Sequence, residues 1–355
     1  MFKKLIAFFL LWGFWGFAMG AWLLLGPLRR IINYARAQAW TEKQENMAVY
    51  ASMLGLVLVT AALAFFSVRY FSRSIYNPTH KYLLWIIPVL GTSIALYLFM
   101  NPNLINADSS KENQVSTQFT IGPYPEAKKL RELKAEGYTG VITLLHPAVV
   151  PFEPKLLGEE KANLKTAGLE MISIPLLPWV SDNIASIDSL RRFVKAAKGK
   201  YYVHCYLGKD RVNVARRIIM QESSGAIAGE TASARSLDNT ASFERGQVYK
   251  LDDKVYFTPL PTNEEYLGYV VAGGFRNIVA LTDYDDADAA QTRKDEERML
   301  STYKIPVHSF NVNASASDNR IRQIIDSVKK MERPLLIHSF RSDLPEAKKF
   351  RELYR

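Results

Sequence analysis

The chain has 355 residues, 45 Lys/Arg against 35 Asp/Glu, a net charge of +10 and 48% hydrophobic content, a length that implies two or three folding units. Residues 1–100 hold nine Lys/Arg and two acids, so +7 of that charge sits in the first hundred positions and only +3 in the rest. The later part has no basic stripe with interleaved aromatics, which argues against a nucleic-acid partner. Five scattered histidines and one cysteine give no metal-ligand spacing and no intramolecular disulfide.

Three uncharged apolar runs come first in chain order: Leu5–Leu25, Met47–Val68 and Tyr82–Met100. Each is long enough, as a helix, to cross a hydrocarbon core of about 30 Å. Trp12, Trp15, Trp22, Trp40 and Trp85 lie in or beside them, as interface-seeking rings should. Residues 1–100 therefore read as a membrane domain with three transmembrane helices, in a multi-pass protein of the cell membrane. The first run could instead be a signal peptide, but its length exceeds the usual apolar region of about 7–15 residues. Basic residues divide almost evenly between the two faces. The Lys3-Lys4 start leans towards an inside N-terminus, which places the residues after 101 outside.

A polar, turn-rich linker follows at 101–115, beginning "NPNLINADSS". From Phe119 helices and strands alternate. "YPEAKKLRELKAEG" reads as a helix with a proline near its start and a glycine past its end. "YTGVITLL" is a buried strand, "GEEKANLKTAG" a helix and "LEMISIPLL" a strand. "SIDSLRRFVKAAKGK" is a helix with Ile187, Leu190, Phe193 and Val194 on one face, "YYVHC" a strand, and "DRVNVARRIIMQE" a helix. The fold class is α/β, with a central, mostly parallel sheet flanked by helices.

The same order recurs. Residues 254–282 track 116–145, with Pro261 matching Pro125, and "SDN" stands at both 181–183 and 317–319. "PLLIHSF" (334–340) matches "YYVHCYL" (201–207), setting Ser339 against Cys205. Two copies of one domain are expected, at 116–222 and 247–355, joined by a small-residue flexible connector at 223–246.

Strand, His-Cys, five residues, arginine, helix: in "VHCYLGKDR" this order has a chemical reason. Attack on phosphorus needs a thiolate. A helix N-terminus offers partial positive charge and unpaired N–H groups, which favour an anion there. Backbone amides of Tyr206, Leu207, Gly208, Lys209, Asp210 and Arg211 can surround a phosphate, with Gly208 permitting the tight wrap. Arg211 supplies a planar fork for two phosphate oxygens. Asp210, inside the loop, should point outward and fix its shape.

This motif within this α/β order resembles the dual-specificity class of the protein tyrosine phosphatase superfamily, and the likeness covers roughly 116–222. The resemblance implies phosphomonoester hydrolysis in two steps without metal or organic cofactor. It makes Cys205 the nucleophile that forms a phosphocysteine, Arg211 the phosphate clamp, and His204 an organiser of the loop. Such enzymes protonate the leaving group from an aspartic acid upstream of the cysteine. Asp182 in "PLLPWVSDN" is the candidate, with Asp188 as the alternative.

Two departures stand out. Val212 occupies the position after the arginine, where the family commonly has Ser or Thr. In the second copy Ser339 replaces the cysteine and Pro345 falls at the arginine position, so that copy should be catalytically dead. Lys209 and the nearby membrane favour a phosphorylated lipid or lipid-linked substrate. A phosphorylated membrane protein is the enzymatic alternative, and a non-catalytic phosphate-binding scaffold is the other.

Overall fold

A computed structural model describes residues 2–37, 42–71, 78–100, 111–149, 152–223 and 234–354. The chain divides into two compact units, Met1–Ala107 and Asp108–Arg355.

The described residues of the first unit form four helices: α1 (Phe2–Leu25), α2 (Pro27–Ala37), α3 (Glu42–Phe71) and α4 (Pro78–Met100). Its polarity is the reverse of a water-soluble bundle. Leu11, Ala21, Thr60, Ala64, Ser67 and Ala95 are buried, whereas Phe2, Trp22, Leu54, Phe66 and Leu90 are exposed. Small residues let the helices approach, so that Gly91 lies against Ala18. Polar groups bond across the bundle, Trp12 Nε1 donating to Thr60 Oγ1 at 3.1 Å and Thr92 Oγ1 to the Phe14 carbonyl at 2.9 Å. Among the described residues two helical stretches, Phe2–Leu24 and Met47–Phe71, are long and apolar enough to cross a membrane, where the sequence suggested three. The third run forms a helix, but its apolar part, Tyr82–Leu98, is shorter because polar residues fill the first turn of α4. At 1.5 Å per residue that stretch reaches only about 25 Å.

The second unit is a mixed α/β structure with two parallel-rich sheets. Its first half runs β1 (Asn113–Gln114), β2 (Phe119–Gly122), α5 (Ala127–Ala135), β3 (Gly140–Thr143), α6 (Phe152–Ala167), β4 (Glu170–Ser173), α7 (Ile184–Ala196), β5 (Tyr201–His204) and α8 (Asp210–Glu222). The strand order is β1-β2-β5-β3-β4, parallel except for β1. Every residue of β2, β3 and β5 is buried, as befits parallel strands covered by helices on both faces. Gly137 and Gly168, both at positive φ, follow α5 and α6 and stop them in the left-handed conformation.

Of the expected linker, 101–110 lie outside the described residues, and Asn113–Gln114 already belong to the sheet. Of the expected connector, 224–233 lie outside them too. From there the chain forms a short hairpin, β6 (Ser242–Phe243) with β7 (Gly246–Gln247). The second half follows as β8 (Tyr249–Asp252), β9 (Val255–Pro259), α9 (Asn263–Glu265) continuing into a π-helical segment at Tyr266–Val271, β10 (Asn277–Thr282), α10 (Ala287–Ser301), β11 (Val307–Asn311), α11 (Asp318–Val328), β12 (Leu335–Ser339) and α12 (Pro345–Tyr354). Its sheet order is β8-β9-β12-β10-β11, again parallel except at the first strand. Strand for strand, this is the order of the first sheet.

One apolar core joins the two halves. It takes Ile142, Leu144, Val203, Val214, Ile218 and Ile219 from the first and Val270, Ile278, Leu300, Tyr303 and Leu336 from the second. Helix α8, which opens with the arginine of the motif, packs against the Tyr266–Val271 segment within that core. Ile218, fully buried there, is a direct probe of it. Ile218→Ala should cost about 2–5 kcal/mol, read as a lowered urea midpoint of the full-length protein. A loss below about 1 kcal/mol would mean that this part of the core repacks freely.

Candidate active site

Strand β5 delivers His204 and Cys205 to the carboxyl edge of the first sheet. The backbone is held there on both sides: Leu144 N donates to the His204 carbonyl at 2.9 Å, and Tyr124 N to the Tyr206 carbonyl at 3.1 Å. Gly208, at φ 69°, turns the chain into α8 through a conformation that a side chain would strain. The Cys205 side chain is buried and free of any disulfide.

Arg211, in the first turn of α8, is the most heavily engaged side chain of the site. Its guanidinium meets the Glu153 carboxylate as a fork, Nη1 to Oε2 at 3.1 Å and Nη2 to Oε1 at 2.5 Å. Nη1 also donates to the carbonyls of Leu144 and Leu176, each at 3.2 Å, and the group reaches the Cys205 side chain. Burial alone would lower its pKa; the hydrogen bonds to Glu153 and the nearness of Cys205 outweigh this and raise it. The Glu153 carboxylate is itself fixed by the His146 amide at 2.7 Å.

His204 is fully buried and pairs through Nε2 with Glu160 Oε1 at 2.7 Å, while its Nδ1 lies 3.2 Å from the Cys205 carbonyl. The rings of Tyr124 and Tyr202 flank it, with centroids at 5.6 Å and 6.3 Å. Neither Glu153 nor Glu160 was singled out from the sequence, although a signal was present. Glu153, Leu156, Glu160 and Leu164 are the buried residues of α6 at helical spacing, so both carboxylates lie on its apolar face. A carboxylate on such a face needs a buried partner.

The remaining candidates fall as follows. Asp210 turns to Arg235, Nη2 to Oδ2 at 2.7 Å, so it braces the loop from outside. The Tyr206 side chain packs on Phe152, Leu145 and Leu156, and burial pushes its phenol up to about 12. Leu207 and Lys209 are half-buried. Val212 is fully buried in the shared core. Asp182 is exposed at φ 63° in the turn after β4, and Asp188 is exposed on α7. Asp182 lines a cleft of about 920 Å³ together with Pro261, Thr262, Glu264 and Glu296 of the second half. The geometry thus brings Cys205, His204 and Arg211 together; Asp182 lines a cleft that includes none of the three and shares with them only the segment that starts at Leu176.

The corresponding edge of the second sheet repeats part of this arrangement. His338 Nε2 pairs with Glu296 Oε1 at 2.8 Å, both groups buried. Ser339 Oγ donates to the Arg341 carbonyl at 2.7 Å, and Arg341 is turned to Asp343. Helix α12 begins at Pro345, the position in the chain that corresponds to Arg211, and Arg351 of the same helix donates to the Ser342 carbonyl.

No protein-family model matches the chain, and no curated protein matches it. Solved structures similar to it over about a third of its length include the following. Two are of a DUF442 protein from Shewanella putrefaciens CN-32, provisionally named a phosphatase. Each is 20% identical, covering 32% and 34% of this chain and 73% and 76% of that one, with TM-scores of 0.28 and 0.29. The third is P. aeruginosa TpbA, 19% identical over 32% of this chain and 66% of that one, with a TM-score of 0.26.

The Arg211–Glu153 pair gives a stability test. Glu153→Ala leaves a guanidinium buried without its carboxylate and should cost about 3–5 kcal/mol in denaturant unfolding. A neutral effect would mean that Arg211 is free to leave this position.

Proposed function

We propose that the protein is a membrane-anchored, cysteine-dependent phosphatase that hydrolyses phosphomonoesters through a phosphocysteine intermediate. The observation that carries this reading is Cys205 held beside a guanidinium that Glu153 fixes by two hydrogen bonds, at the first turn of α8. A purely structural loop would not need a buried, carboxylate-paired arginine beside its one thiol.

In the proposed reaction the Cys205 sulfur attacks phosphorus and the bond to the leaving oxygen breaks. Asp182 gives that oxygen a proton and the alcohol departs. Asp182 then takes a proton from a water, which attacks the phosphocysteine and restores the thiolate as inorganic phosphate leaves. Loop amides and Arg211 neutralise the charge on the transferring group throughout. His204, locked to Glu160, keeps the loop in register with β5.

Residues 116–222 form the catalytic domain in this reading, and 247–355 a degenerate second copy. The shared strand order and the recurring buried His–Glu pair support the duplication. The inverted polarity of α1, α3 and α4 supports the membrane anchor. A site tethered close to a bilayer meets headgroups at high effective concentration, and Lys209 adds a cation, so a phosphorylated lipid or lipid-linked phosphate is the favoured substrate. The dual-specificity class, a multi-pass topology and an outward-facing catalytic domain belong to the same proposal. Val212 supports a second reading, a phosphate-binding scaffold, because its burial leaves no hydroxyl after the arginine to assist release of the thiol.

The test uses the full-length protein in detergent. p-Nitrophenyl phosphate should be hydrolysed by the wild type, not by Cys205→Ser, and about 100-fold or more slower by Arg211→Lys. Equal rates in all three would leave only the scaffold. Among phosphatidylinositol phosphates, phosphatidylglycerophosphate and a phosphotyrosine peptide, a lipid should turn over fastest. A wide margin for the peptide would reassign the substrate to protein.

A further inference from the structure

The segment between Leu176, whose carbonyl accepts from Arg211, and α7 carries Asp182, and it is tied down at an unusual number of points. Asn183, almost fully buried, accepts from Leu177 N at 2.8 Å and donates to the carbonyls of Leu177 and Trp179 at 3.3 Å and 2.6 Å, closing the turn on itself. Val180, also buried, spends both backbone groups on the second half of the unit. Its N–H donates to the Asn263 carbonyl at 3.1 Å, and its carbonyl accepts from the Tyr303 hydroxyl at 2.8 Å.

Tyr303 lies in the turn after α10 and is itself buried. Its own carbonyl accepts from Arg217 Nε and Gln221 Nε2 of α8, each at 3.2 Å, and Arg191 of α7 donates to the neighbouring Thr302 carbonyl at 2.8 Å. One residue of the second half therefore bonds the aspartate-bearing turn through its side chain and the arginine-bearing helix through its backbone. Burial pushes its phenol up to about 12, so it stays a donor across any ordinary assay pH.

We infer that Tyr303 is a positioning residue for the proposed acid. The degenerate half, which has Ser339 and Pro345 at the positions of Cys205 and Arg211, holds the turn of Val180 and Asp182 at a fixed place relative to Arg211. This deepens the phosphatase reading and rests on it. The turn is then a preset element rather than a loop that swings in with substrate. Removing the one hydroxyl leaves the Val180 carbonyl buried without its donor and loosens the turn that carries Asp182.

The test separates proton donation from everything else the site does. A poor leaving group needs a proton in the transition state, whereas a strongly acidic phenol departs without one. Full-length wild type, Tyr303→Phe and Cys205→Ser are compared on phenyl phosphate and 2,4-dinitrophenyl phosphate. Tyr303→Phe should lose about 10-fold or more in kcat/KM, which reports the step that expels the leaving group, on phenyl phosphate and stay within about 2-fold on the dinitrophenyl ester. An equal loss on both, or no loss on either, overturns the positioning role. A Cys205→Ser rate equal to wild type on both esters overturns the phosphatase reading itself. Amide exchange in the wild type gives a variant-free check: peptide 177–184 should be protected like the strand Tyr201–His204, and fast exchange there would overturn the preset turn.

Discussion

A guanidinium buried at the edge of a parallel sheet has to be paired, and the Arg211–Glu153 ion pair sets much of the remaining structure. It requires α6 to start at Phe152, so that Glu153 lies on the inner face, and the β3 end to present the Leu144 carbonyl. It also requires the segment after β4 to present the Leu176 carbonyl. The pair is costly to desolvate, and a hydrophobic replacement of equal volume would serve stability as well or better. In the proposed phosphatase the pair serves to hold Arg211 beside the single cysteine. Glu153 takes up the charge of Arg211 and fixes the plane of its fork.

The two halves of the second unit divide the work differently. Each carries, at or next to the end of its fourth major strand, a histidine bonded to a buried glutamate, so this pair belongs to the architecture of the edge rather than to the chemistry alone. Only the first half adds a cysteine and an arginine. The second half has turned its equivalent loop inward on itself, through Ser339, Arg341 and Asp343, and its turn after α10 braces the first half.

Much of this was legible in the sequence, and the reasons for the exceptions are physical. Apolar runs and glycine stops gave the order of strands and helices from Phe119 onward, because parallel strands buried on both faces are continuous apolar runs. The Cys205-to-Arg211 spacing was readable because the whole motif lies within one strand–loop–helix element. Glu153 and Glu160 were passed over because a carboxylate on a helix reads as solvent-facing until its partner is known, and the partners are 58 and 44 residues away. The bond from Tyr303 to Val180 spans 123 residues and leaves no local trace. The π-helical segment at Tyr266–Val271, which packs on α8, likewise has no period of its own in the sequence.

The central claim is that the lone thiol forms a covalent bond to phosphorus beneath Arg211. Acid quenching of the full-length protein during turnover of a phosphate ester, followed by peptide mass spectrometry, tests it most directly. A phosphoryl adduct confined to the peptide carrying Cys205, slow to break down because Val212 offers no hydroxyl, is the result this account predicts. Sustained turnover with that peptide always unmodified, or with the phosphoryl group on another residue, would contradict it.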